Sequence, residues 1–136
     1  MGRGQALTAV VLVHLSINMV HGRAHAGAQV PLSPAAALFV YIVILVGPLV
    51  GLAVWRWRPR LGGWTVAACM GAALLFGLIN HFIIDGSDHV ARVAAEWRSL
   101  FSVTAGLLVA CEALGAAIGI WSARGRSLRS ELELRP

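Results

Sequence analysis

Four apolar runs divide this chain: Ala6 to about Ala24, Ala35 to Trp55, Trp64 to Ile84 and Leu100 to Trp121. Each approaches the roughly 20 residues that a helix needs to cross the hydrocarbon core of a bilayer. A bilayer interior offers no water to backbone N–H and C=O groups, so runs of this kind must pair those groups within helices. Composition agrees: 58% of the 136 residues are hydrophobic and 12% are charged. That balance excludes a disordered chain and is too apolar for an ordinary soluble domain. Little chain remains between the runs. The expectation is an all-α membrane protein, one transmembrane domain over residues 1–136. It forms a four-transmembrane-helix bundle with spans at about 6–24, 35–55, 64–84 and 100–121, short loops, and a cytoplasmic tail at 122–136. A competing reading makes Met1 to Gln5 a basic n-region, Ala6 to Val20 an h-region and Ala24-His25-Ala26 a cleavage site. His14 and Asn18 are out of place in an h-region, which favours a retained first span.

All eleven basic residues are arginine. Four crossings put Arg3, the Arg56, Arg58 and Arg60 cluster, and Arg124, Arg126, Arg129 and Arg135 on one side. Arg23, Arg92 and Arg98 fall on the other, beside Asp85, Asp88 and Glu96. Arginine bias of this kind predicts N-in, C-in topology, multi-pass in the bacterial inner membrane. The net charge of +5 then records topology, and no basic-aromatic surface is left over for nucleic acid. Trp55, Trp57, Trp64 and Trp121 gather at the proposed cytoplasmic interface and Trp97 at the outer one, as aromatic belts do.

Ser33-Pro34 reads as an N-cap followed by a first-turn proline. Pro48 falls mid-span and predicts a kink. Pro59 and Gly62-Gly63 mark the cytoplasmic turn. Asp85 to Asp88 read as the end of the third span or a turn just beyond it, and Val90 to Ser99 pattern as a short amphipathic helix on the outer surface. Gly47 with Gly51, and Gly115 with Gly119, are GxxxG pairs that let helix backbones approach. Cys69 and Cys111 lie at different depths inside spans and read as unpaired buried hydrophobes. An offset of 67 superposes His14 on His81, Asn18 on Asp85 and His21 on Asp88, a pattern open to two readings, a parallel internal repeat and chance similarity between apolar helices.

The polar residues within these runs carry the functional signal. His14, Asn18, His21 and His25 are spaced four, seven and eleven residues from the first of them. At about 100° per residue these steps return to one helix stripe. Ionisable groups in a span face a bundle interior or a cavity. Counting a rise of about 1.5 Å per residue from the cytoplasmic ends places His14 and Glu112 roughly 12–14 Å deep. The same count places Asn18, His21, Tyr41, Asn80 and His81 at roughly 18–26 Å, with His25, Asp85, Asp88 and His89 at or above the outer interface.

The outer group combines imidazoles and carboxylates, which suit Zn, Fe, Ni, Mn or oxidised Cu. His21 with His25, and His81 with Asp85, are i, i+4 pairs able to share one ion. The candidate metal ligands are therefore His21, His25, His81, Asp85, Asp88 and His89, with Asn18, Tyr41 and Asn80 in support. There is no HExxH and no di-iron carboxylate ladder. His14 and Glu112 form a candidate buried polar pair. A lone ionised carboxylate at that depth is heavily penalised, so Glu112 is either protonated or paired with the imidazole.

This pattern predicts a membrane protein that holds or passes a transition-metal ion at a His/Asp site near the periplasmic side. Two other readings stand beside it: a small membrane haem or quinone-linked redox subunit, and a non-catalytic accessory subunit of a membrane complex. The expected partners are the lipid bilayer, the ion, and further copies or a larger complex.

Asp85-Gly86-Ser87-Asp88-His89 contains a G-x-D-H that resembles the G-x-D-H of small nickel permeases of the HupE/UreJ type. Those carry more spans and a His-Pro pair, where this chain has His81-Phe82. The wider pattern includes His14, Asn18, His21-Gly22, Ala24-His25, Gly71-Ala72, Gly77, His81-Phe82, Asp88-His89-Val90 and Glu112. It is similar to small four-span bacterial membrane proteins. That resemblance implies the four-span fold and no particular activity.

Overall fold

The computed structural model describes residues 1–125. Arg126, Arg129, Arg135 and nearly all of the expected tail lie outside the described residues. Four helices are long and apolar enough to cross a membrane: α1 (Arg3–Gly27), α2 (Pro34–Trp55), α3 (Pro59–Ile83) and α4 (Ala95–Arg124). No strand occurs among the described residues, so the all-helical, four-span reading stands. Three of the helices outrun their apolar cores by several residues, and α2 begins one residue before its own, because local signals set the ends. Ser33 accepts a hydrogen bond from the Ala36 N–H at 3.2 Å, and Pro34 follows in the first turn. Pro59 opens α3 the same way; a first-turn proline lacks only an N–H that has no helical partner there.

Two segments depart from α geometry. Residues Val40–Val46 of α2 and Ile79–Ile83 of α3 form π turns. In α2 the disturbance expected of Pro48 takes this form: the wider turn lies just before the proline, and the Gly47 N–H reaches back to Ile42. The expected surface helix at Val90–Ser99 does not form. Residues 84–94 make a series of turns, and Ala95 onward belongs to α4. The reason is local. Val90 gives its N–H to the His81 carbonyl at 3.0 Å, and His89 gives its own to Gly86 at 3.1 Å. These bonds tie the segment to the end of α3. Val93 is buried with Ala24 and Phe101 under Trp97.

α4 packs along both α1 and α3, and α3 packs along α2. In a bilayer, lipid tails are as apolar as leucine, so close packing holds helices together where hydrophobic burial cannot. The glycines supply that packing. A Cβ on Gly119 would sit 2.7 Å from the Ala67 nitrogen, and one on Gly63 would sit 2.8 Å from the Ala123 nitrogen. One on Gly62 would lie 2.6 Å from the Gly51 carbonyl oxygen. Backbone cannot yield to such contacts, so only glycine serves at these positions. Leu7, Val11, Val66 and Met70 are fully buried in the adjoining core.

At this end the Arg3 guanidinium lies 4.9 Å from the Trp121 ring centroid, and Trp55 lies beside Gly4. Trp97 sits at the opposite end of the bundle against Gly27. Both cysteines are free thiols. The offset-67 repeat is not used structurally. His81 stands beside His21, while His14 occupies a separate level with Glu112.

Candidate metal centre

His21 and His25 project one turn apart from the C-terminal half of α1. His81 projects from the π turn that ends α3. One ligand atom from each of the three rings lies within 4.8 Å of the others. All three rings surround Phe101 of α4, with centroid distances of 4.8 Å, 4.8 Å and 5.2 Å for His21, His25 and His81. Phe101 is completely buried and forms an apolar wall behind the cluster. The extra residue of a π turn rotates the side chains beyond it, and such turns recur at functional sites.

The hydrogen bonds fix which ring nitrogens carry protons. Thr104 Oγ1 lies 2.7 Å from the Leu100 carbonyl and 3.1 Å from the Phe101 carbonyl. A carbonyl only accepts, so the single hydroxyl proton points there. Thr104 Oγ1 must then accept from His21 Nδ1–H, which lies 2.8 Å away. His81 Nδ1 lies 3.1 Å from the Asp88 carbonyl oxygen, so it donates too. Both rings therefore carry a proton on Nδ1, and in the neutral form each presents an Nε2 lone pair. Those two Nε2 atoms face each other at 3.3 Å. Two lone pairs held that close need a positive species between them, either a proton or a metal ion. Two nitrogens bound to a tetrahedral Zn²⁺ at about 2.0–2.1 Å are themselves about 3.3 Å apart.

Asp88 completes the surroundings. Its Oδ1 lies 3.2 Å from His81 Nδ1 and 3.3 Å from His25 Nε2. It thus stands on the far side of His81 from the His21 contact. The backbone carbonyl of the same residue orients the His81 ring, as partners of metal-ligating histidines do. His25 Nδ1 and Asp88 Oδ1 are buried without hydrogen-bond partners. Unpaired buried polar atoms are costly, and an ion on His25 would remove one of these deficits.

The other sequence candidates are spread around this cluster. Asp85 does not join it. It forms a bidentate pair with Arg92, both bonds 2.7 Å, with 65% of its side chain exposed. The Arg92 guanidinium holds the Asp85 carboxyl below its ordinary value. The break in α3 at Ile84 carries Asp85 out of the i, i+4 register with His81. His89 lies in the turn beyond, where its Nδ1 accepts from the Ala91 N–H at 3.2 Å. Asn18 caps the His14 carbonyl at 2.9 Å and lines the cavity. Tyr41 stands at the cavity rim. Asn80 returns its amide to the Phe76 carbonyl on its own helix at 2.8 Å. His14 Nε2 and Glu112 Oε1 meet at 3.2 Å, with both residues essentially buried.

Sequence reasoning missed Thr104 and Phe101, which set the tautomer and the wall. Neither residue type is unusual in a span, so nothing in the pattern marked them. A cavity of about 480 Å³ adjoins the histidines and reaches Glu112. Comparison with family models, with curated proteins and with solved structures returns no match, so the site has to be interpreted from its own geometry.

Proposed function

We propose that this protein binds a transition-metal ion within the membrane, with His21, His25 and His81 as ligands. Asp88 orients His81 through its backbone carbonyl, and its carboxylate, close to both His81 and His25, offsets the ion's charge. The observation that carries the reading is the pair of Nε2 atoms at 3.3 Å, each on a ring held by a hydrogen bond at its other nitrogen. Their spacing suits the edge of a tetrahedral site, and Zn²⁺ is the best fit among Zn, Fe, Ni, Mn and Cu. Binding the third ligand requires the His25 ring to move toward the other two. The arginine distribution supports an orientation with both termini in the cytoplasm, as in a bacterial inner membrane, and the histidines toward the periplasmic side.

Elemental analysis and an absorption spectrum of gently purified protein test this reading. Metal at about one ion per chain without a Soret band is the expected result. A Soret band would replace the ion with haem. Metal-free protein that co-purifies with other subunits would favour an accessory role.

A further inference from the structure

The cavity beside the histidines is bounded by all four helices, though unequally. Ala105 and Leu108 of α4 form buried walls, while Met19 of α1 and Tyr41 of α2 are 59% and 64% exposed at its edge. The opening therefore lies between α1 and α2. These helices meet chiefly at the other end, near Gly4 and Trp55, and leave a gap at the depth of the histidines. In a bilayer such a gap faces lipid tails, so a ligand that uses it must be lipid-soluble.

The floor of the cavity holds a second clue. Glu112 is 2% exposed and contacts His14 through Oε1 alone. Its Oε2 is buried and has no hydrogen-bond partner. That oxygen points toward Gly77, where an added Cβ would lie 3.9 Å from Oε2 and 3.9 Å from His81 Cδ2. The absent side chain of Gly77 leaves room between the carboxyl group and the histidine cluster. About 480 Å³ falls within the usual range for a small-molecule site.

We propose that this cavity binds a lipid-soluble quinone or quinol, which enters between α1 and α2 and hydrogen-bonds through a ring oxygen to Glu112 Oε2. The chemistry matches on both sides. A carboxyl group accepts when ionised and donates when protonated. A ring oxygen accepts as a carbonyl and donates as a hydroxyl. The ring and its tail match apolar walls and an opening onto lipid. A phospholipid matches less well, because its phosphate would approach Asp88 and its acyl chains offer Oε2 nothing. The proposal uses no metal ion and stands apart from the reading of the histidines.

Decylubiquinone titrated into the full chain in lipid nanodiscs tests it, with metal content measured on the same samples. Saturable binding near one per chain is expected. Gly77→Ala fills part of the space between Oε2 and the histidines that the ring oxygen would use, without a clash that would prevent folding. It should weaken binding about tenfold and leave metal content unchanged. Glu112→Leu should do the same, and if that variant fails to fold, Gly77→Ala decides alone. Unsaturable partitioning, equal affinity in Gly77→Ala, or a bound phospholipid that the quinone cannot displace would each overturn the proposal. Metal-free protein that still binds the quinone would defeat the metal reading and leave this one standing.

Discussion

The inner and outer halves of the four helices solve different problems with the same kind of chain. Toward Arg3, Trp55 and Trp121 the helices approach to backbone contact through Gly51, Gly62, Gly63 and Gly119. Pairing between ionisable side chains enters at the upper edge of that core, where His14 meets Glu112. Toward Trp97 the helices separate, both π turns occur, and the polar side chains gather around a cavity. The inner half trades chemistry for packing, and the outer half gives up packing to hold chemistry. A membrane bundle of this size needs both, since helix contact is its main source of cohesion.

The largest effect should come from loading a side chain into the inner half. Gly119→Val forces atoms into the Ala67 backbone and should cost about 3 kcal/mol, read as a lowered melting temperature in detergent. Alanine at Gly71 or Gly106, where nothing lies within 4 Å of a new Cβ, should be neutral or slightly stabilising. If both kinds of glycine respond alike, the contrast between the halves fails.

Next comes the boundary between them. Glu112→Leu strands buried His14 and should cost about 2 kcal/mol. Glu112→Gln keeps a hydrogen bond to the imidazole and should lose less than half of that, by the same melting measurement. Equal stability of the two variants would show that the pair contributes nothing.

A smaller change is expected within the outer half. Thr104→Val deletes the acceptor that fixes the His21 tautomer and should lower metal affinity about tenfold or more. The fold should survive, which circular dichroism checks. Unchanged affinity would mean that Thr104 does not orient the ligand.

The smallest effect belongs to the surface. Asp85→Asn should leave metal content and melting temperature within error, because exposed ion pairs contribute little. The folded-state value of Asp85 is depressed by Arg92. Any stability from the pair is therefore present above the ordinary carboxylate value and is lost as pH falls through the depressed one. A melting temperature that drops between neutral pH and that range in the native chain, and not in Asp85→Asn, would give the pair more weight than it has here.

The spans, the close packing at Gly51 and Gly119, the buried His14–Glu112 pair and the approach of His21 to His81 were legible from periodicity and depth. They depend on helix rise and rotation, which are constant enough to count along a sequence. By contrast, Gly62 and Gly63, expected in the cytoplasmic turn, lie inside α3 and pack against α2 and α4. The separation of Asp85 from the histidines was not legible, because a helix that ends at Ile83 moves every later side chain out of register. The π turns escaped for a related reason: they arise from how two helices fit together, and Ile79–Ile83 carries no composition that marks one. Thr104 became informative only when its single proton could be traced to a carbonyl.

The central claim is that His21 and His81 share an ion, and X-ray absorption at the zinc edge of Zn²⁺-loaded protein tests it most directly. The expected spectrum has imidazole nitrogens at about 2.0–2.1 Å, with fewer of them in His81→Ala. A zinc shell without imidazole scattering, or one identical in wild type and His81→Ala, would contradict it.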